Sequence, residues 1–307
     1  MVNLTDPIYQ DADKAREHLE ALHWPNGPIC PHCGNSHQDR ITKMQGKSTR
    51  PGVYKCKDCR KPFSVTVGTV FERSHIPLNK WLLATHLMAA SKKGMSAHQL
   101  HRMLDITYKS AWFMAHRIRE AMTPDTNSGP IGGGNKVVEI DETYVGGKAK
   151  NRAAKPAPKK HAIVSLVERD GKIASLHVAN VTAKTLRPII VKHVDRASYI
   201  MTDESTVYPK IGKEFDGHGR VNHSAGEYVR AAFWHTNTVE NYFSIFKRGI
   251  IGVYHHVSEA HLQRYAVEFD FRYNTRKISD ADRAGLALEG ARGKRLTYRR
   301  TDEAAHA

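Results

Sequence analysis

The chain has 307 residues, and 47 Lys and Arg against 31 Asp and Glu leave a formal net charge of +16. No stretch approaches the ~18 apolar residues of a membrane span, and MVNLTDPIYQDADKA at the start lacks the apolar core of a signal peptide, so composition argues against a membrane or exported protein. What remains is an intracellular chain of two or three domains with a polyanion as its expected partner; charge alone does not separate a coating protein from an enzyme.

Residues 1–25 are expected to form a helical segment. All four cysteines then fall in two pairs, Cys30-Pro31-His32-Cys33 and Cys56-Lys57-Asp58-Cys59. A CxxC knuckle turns two thiolates onto one tetrahedral zinc, and two knuckles complete a saturated site with no open position, so one structural Zn2+ held in a ribbon over residues 26–70 is expected. Ser48 to Gly52 would form the ribbon's hairpin tip, and Arg60 to Thr66 its last strand.

Residues 76–123 read as three helices. Pro77 suits the first turn of one that Gly94 ends; Ser96 can cap a short second helix to Leu104; and Ala111, Met114, Ala115, Ile118 and Met122 form one face of a third. The other face carries Lys109, Phe113, His116, Arg117 and Glu120, so the last two helices resemble a DNA-binding helix-turn-helix, with Lys109, His116 and Arg117 as candidate contacts. Residues 124–136, rich in Gly, Ser, Asn and Pro, are read as a linker.

The segment 137–275 reads as a mixed α/β domain. Lys136 to Val145 alternates as a strand, with Val138 and Ile140 on one face and Glu139 and Asp141 on the other. His161 to Arg169 and Lys172 to Val181 are two more strands around the Asp170-Gly171 turn. A helix over Thr182–Val194 and a strand over Ser198–Thr202 follow, delivering Asp203. Three strands, a helix and a fourth strand are the order of an RNase H-like core. A later helix, Asn237 to Arg248, has a Val239, Tyr242, Phe243, Phe246 stripe for docking and sets Glu240 on an adjacent face. Asp141, Asp203 and Glu240 are therefore candidate catalytic carboxylates, hard oxygen ligands on separate rigid elements, as phosphodiester chemistry with two Mg2+ (or Mn2+) requires. Glu139, Glu142 and Glu204 are competitors, read as solvated or supporting groups. Lys148, Lys150, Arg152, Lys155, Lys159 and Lys160 crowd a loop suited to tracking a phosphate backbone. Residues 276–307 are expected to be a basic tail, disordered from Arg292 onward.

Asp141 in IDETYVGGK, Asp203 in TDEST and Glu240 in HTNTVENYFSIFKRGIIGVYHH resemble the catalytic segments of bacterial insertion-sequence transposases of the DDE superfamily, in the group with an N-terminal zinc ribbon. The 36 residues between Asp203 and Glu240 are close to that superfamily's gap. Val221-Asn222-His223-Ser224 with Glu227-Tyr228-Val229 resembles the segment before the catalytic helix, and the resemblance spans roughly residues 25 to 275. It implies an RNase H-like catalytic domain and terminal inverted repeats and target DNA as partners. It further implies a dimer or larger assembly on DNA, and a cytoplasmic, nucleoid-associated location. Lys247 stands where the family places a basic residue on terminal DNA, with Arg248 beside it. In this group an Asn can be assigned the third catalytic position, which leaves Asn237 and Asn241 as alternatives to Glu240. The rival functions are an RNase H-like structure-specific endonuclease and a non-catalytic zinc-ribbon/helix-turn-helix regulator.

Overall fold

The computed structural model describes residues 4–125, 129–147, 159–221 and 235–297. It divides into two compact units, residues 1–123 with 278–307, and residues 124–277.

In the first unit, α1 (Pro7–Gln10) and α2 (Ala12–His23) precede a three-stranded antiparallel sheet, β1 (Ile41–Lys43), β2 (Tyr54–Cys56) and β3 (Pro62–Phe63). Asp11 caps α2 by accepting from the Asp13 and Lys14 amides. The sheet is too small to bury a core alone. It packs Tyr54 and Phe63 against Trp24, just past α2, with ring centroids 5.5 and 5.8 Å away. The Tyr54 hydroxyl donates to Glu20 on α2. Gly52 in the β1–β2 hairpin has φ +76°, and a Cβ there would lie 2.2 Å from Arg16 Cδ. Residues 12–24 are thus part of the ribbon's packing rather than a separate segment.

Three helices follow: α3 (Leu78–Ala90), α4 (Ala97–Leu104) and α5 (Tyr108–Ala121). Ser96 accepts from the Gln99 amide and Thr107 from the Ser110 amide, and Asp105 at φ +48° makes the turn between α4 and α5. Ala111, Met114, Ala115, Ile118 and Met122 are all buried.

Two expectations for this unit are corrected. The opposite face of α5 is not an outward basic surface: His116 is fully buried, and Arg117, only 9% exposed, donates to the carbonyls of Leu296 and Glu72. Residues 278–297 are no tail: α10 (Asp280–Glu289) packs on α3, reaching α2 and α5. The Leu288 carbonyl meets His23 Nε2 at 2.9 Å, Gly293 N donates to Gly68 O, and Lys294 donates to the Ala121 and Thr123 carbonyls. The basic residues of this stretch satisfy main-chain acceptors at the ends of other elements, which composition could not reveal.

The second unit is built on a five-stranded mixed sheet of order β6-β5-β4-β7-β8. β4 (Val137–Val145), β5 (His161–Glu168) and β6 (Ile173–Val178) run as an antiparallel meander. After α6 (Ala183–His193), β7 (Tyr199–Thr202) joins β4 in parallel; α7 (Pro209–Gly212) then leads to β8 (Gly217–Arg220), parallel to β7. This is the RNase H-like topology. β8 was not expected, because its sequence, Gly-His-Gly-Arg, has no β-branched residue. Gly217 is required there: a Cβ would lie 2.2 Å from the Tyr199 ring.

One face of the sheet buries Val138, Ile140, Val164, Leu166 and Ile200 with Leu186 and Ile190 of α6 and with Tyr208. The other packs Ile163, Val167 and Ile173 against Val239, Tyr242, Phe243 and Phe246 of α8 (Asn237–Gly249) and Phe269 of α9 (Glu259–Asn274). Residues 129–136 are not a free linker. Ile131 forms a parallel bridge with Val194, and Gly132, at φ +89°, passes so close that a Cβ would lie 2.1 Å from Ser198 Oγ. No helix of the described residues is long and apolar enough to cross a membrane.

Candidate active site

β4 is the central strand, and Asp141 lies two residues beyond Glu139, which pairs with Met201 of β7. Continuing that parallel register sets Asp141 beside Asp203, one residue past the end of β7. Asp203 accepts from the Ser205 amide at 3.0 Å, and Asp141 from the Glu142 amide at 2.7 Å, so both carboxylates are held by turns of their own backbone. Glu240 enters from α8, where it accepts from the Thr236 hydroxyl at 3.0 Å. Burial, followed by repulsion from Glu142, Asp203 and Glu240, pushes the Asp141 carboxyl up to about 7. The three expected carboxylates, and Glu142 with them, thus form one electrostatically coupled group. Asn237 and Asn241, the alternatives to Glu240, are both exposed.

The donor set fits divalent cations. Several acidic groups lie near enough for their charges to raise the Asp141 carboxyl, and hard carboxylate oxygens suit Mg2+. These oxygens are spread more widely than a single-ion cluster: among the described residues, only the four cysteines and a His-His-Glu group bring three or more ligand atoms within 4.8 Å of one another. Ligands for two ions about 3.5–4 Å apart need not converge on one point.

How the site is held rests on a residue that sequence reasoning set aside. Glu139 is fully buried and not solvated. Its carboxylate accepts from the Thr238 amide at 2.8 Å, the Val239 amide at 3.0 Å and the Thr238 hydroxyl at 2.9 Å. These are first-turn donors of α8, whose own N-cap residue Thr236 makes no capping hydrogen bond. The other side of the carboxylate takes the Arg169 guanidinium at 2.7 Å and faces His235 Nδ1 at 3.3 Å, and Arg169 also donates to the His235 carbonyl. Glu139 therefore fastens the helix carrying Glu240 to the strand carrying Asp141. Its signal in the sequence was its position, two residues before Asp141 on the same strand face. Glu142 accepts from the Tyr208 hydroxyl at 2.5 Å, and burial raises its carboxyl. A second buried network, in which Tyr242 and Ser175 donate to Asp270 at 2.6 and 2.7 Å, ties α8 to α9 and the sheet.

Among the expected DNA contacts, Lys109, Lys247 and Arg248 are exposed. Arg248 also donates to the Ser244 carbonyl of its own helix. Lys148, Lys150 and Arg152 lie outside the described residues, as do Asn222 through Val229.

At the other expected centre, the cysteine sulfurs of 30 and 59 are 3.6 Å apart and those of 33 and 56 are 3.7 Å apart. A disulfide would bring a pair to about 2.05 Å. Four thiolates at 2.3 Å around a tetrahedral zinc stand about 3.8 Å apart. The Cys59 and Asp58 amides point at Cys56 and draw its thiol down to about 6, favouring the thiolate a metal needs. His32, inside the first knuckle, instead meets the Pro62 carbonyl at 3.3 Å.

Residues 132–274 match the family model of the ISXO2-like transposase domain, and residues 10–62 match that of the transposase zinc-ribbon domain. Both models describe domains of insertion-sequence transposases, and the chain is similar to each over these residues. The ribbon match begins at residue 10, in accord with the packing of α2 on the ribbon sheet. A Halobacterium salinarum protein described as an uncharacterized protein in transposable element ISH50 is 27% identical over 279 residues, covering 84% of this chain and 90% of the relative.

Proposed function

We propose that this protein is a transposase that binds the terminal inverted repeats of an insertion sequence, cleaves the 3′ ends and joins them to target DNA, with Asp141, Asp203 and Glu240 as its metal-ligating catalytic residues. The observation that carries this reading is the electrostatic coupling of these three carboxylates, from two adjacent parallel strands and a helix, within an RNase H-like sheet. Two Mg2+ or Mn2+ ions, when bound, would activate the attacking oxygen and stabilise the leaving one. To serve as a ligand Asp141 would have to be ionised, so its raised carboxyl would couple metal binding to pH. Asp203 and Glu240 supply the remaining charge from backbones fixed by the Ser205 amide and by the Glu139 cap. Glu240 is favoured over Asn237 and Asn241, which are exposed and bring no charge.

The remaining assignments concern DNA. Helices α4 and α5 form the helix-turn-helix, and with His116 and Arg117 buried its reading surface contracts to the start of α5, where Tyr108 and Lys109 are exposed. That is the part of a recognition helix that reaches base edges. Lys247 and Arg248, both about two turns beyond Glu240, would hold phosphates of the terminal DNA, with Lys148, Lys150 and Arg152 contributing from their segment. Two ends must be paired, so the active species would be a dimer or larger assembly on DNA.

The test is a strand-transfer assay with paired end fragments and Mg2+. Wild-type protein should nick the 3′ ends and join them to a target plasmid, and Asp203→Asn should do neither while binding ends within about threefold of wild type. Hydrolysis without joining would instead support a structure-specific endonuclease. End binding without either reaction would support a regulator.

A further inference from the structure

A second cluster of ligating side chains lies away from the carboxylates. His161 opens β5, His177 is near the end of β6, and Glu259 is the first residue of α9. One ligand atom from each lies within 4.8 Å of the others. His161 Nδ1 is 3.4 Å and His177 Nε2 4.0 Å from the same carboxylate oxygen, Glu259 Oε1. His177 Nε2 is buried and has no hydrogen-bond partner among the described residues. Lys159 Nζ stands 3.1 Å from Glu259 Oε2 and 3.3 Å from Oε1, with its side chain 72% exposed.

The fold, and not a chance rotamer, brings these groups together. In the β5–β6 pairing His177 sits opposite Ile163, which shares a face of β5 with His161, so both imidazoles project to the α8–α9 side of the sheet. Gln263, one turn after Glu259, accepts from the His177 amide at 2.7 Å and donates to the Ser175 carbonyl at 2.9 Å, fixing the start of α9 over the edge strand. His161 pairs with Val145, four residues past Asp141 along β4, which places the cluster about 13 Å from the candidate active site.

The geometry points to a transition-metal site, of zinc or a related dication, formed by His161, His177 and Glu259. Two imidazoles and one carboxylate select zinc, copper or nickel over magnesium. Ligand atoms at 2.0–2.2 Å from a tetrahedral ion stand about 3.3–3.5 Å apart, so only side-chain rotation is needed for closure. An ion satisfies the orphaned His177 nitrogen, and it takes the place of the exposed Lys159 ammonium as countercharge to Glu259. Bound there, it clamps edge strand β6 and the start of α9 to β5, and leaves a fourth position to water. The site requires neither DNA nor cleavage and stands independently of the proposed catalytic residues.

The test is metal analysis of the full-length protein after dialysis against micromolar free Zn2+ with millimolar Mg2+ present to occupy the carboxylates. Two zinc equivalents per chain are expected: one in the ribbon, and one lost in His177→Ala and in Glu259→Ala. Glu259 is an exposed first-turn residue whose replacement leaves the core untouched, so the second variant reads the site even if the first perturbs the sheet. With Co2+, the wild type should add a nitrogen/oxygen-ligated band to the thiolate spectrum, and Glu259→Ala should remove only that band. One equivalent in the wild type, or two retained in Glu259→Ala, would overturn the assignment.

Discussion

Replacing Glu139 with Gln changes one atom of a fully buried side chain and tests whether the helix carrying Glu240 is held in place from β4. The wild-type carboxylate meets donors on every side: two α8 amides, the Thr238 hydroxyl and Arg169. An amide has one acceptor oxygen, and its NH2 group must then face either the α8 amides or the guanidinium, donor against donor. Each charge-assisted hydrogen bond contributes about 1.5–3 kcal/mol, and breaking a buried pair from one side costs about 3–5 kcal/mol. The Gln variant keeps some of these bonds, so about 3 kcal/mol is expected, a large share of a typical domain's 5–15 kcal/mol. The assay is native-state hydrogen exchange by mass spectrometry. Amides of 237–249 should lose about 100-fold protection, while those of 280–289, in the other unit, stay unchanged. Adding Arg169→Leu should recover part of the loss, because the uncompensated guanidinium is removed. Unchanged protection of α8 in Glu139→Gln would refute the cap and with it the account of how Glu240 is positioned.

Other consequences are open to direct measurement. Since the Asp141 carboxyl lies at about 7 in the folded, metal-free protein against 3.8 in the unfolded chain, folding binds a proton between those values. Its stabilising contribution is complete below pH 4 and is lost as pH rises through 7. The melting temperature of wild type relative to Asp141→Asn should therefore fall over that range, and a flat difference would contradict the raised value. For the ribbon, Cys56→Ser should remove its zinc and unfold the sheet around Tyr54 and Phe63, read as lost metal and as a change in Trp24 fluorescence; folded, metal-free protein would count against a structural zinc. Lys109→Ala should weaken end binding several-fold and lower its salt dependence by about one counterion. Arg117→Met should instead lower the melting temperature, since it leaves the Leu296 and Glu72 carbonyls without their donor, and a pure DNA-binding defect would reverse that assignment.

Features that are local were legible from the chain. Ser96 and Thr107 announce their helices because a hydroxyl caps amides two or three residues away, and the Val138/Ile140 alternation declares a strand because side chains there have period two. The paired CxxC knuckles carry their geometry within four residues, and Asp141 and Asp203 are prominent because each ends or interrupts a strongly patterned strand. What remained hidden depends on distant partners. His116, Arg117 and Lys294 look like surface cations, yet packing takes the first into the core and long-range main-chain acceptors capture the other two; β8 is a strand only because β7 offers it an edge and Tyr199 fills the space beside Gly217. Residues 278–297 read as a tail because α3 and α2, which cover α10, lie some two hundred residues earlier. Glu139 gives the sharpest contrast. Its sequence position differs from that of Asp141 by two residues on one strand face, yet α8 docks on one and leaves the other among acidic neighbours. The strand therefore determined that two carboxylates would project together, and tertiary structure decided that one became a helix cap while the other stayed among acidic neighbours as a candidate metal ligand, because only the packed helix supplies the amides that neutralise a buried charge.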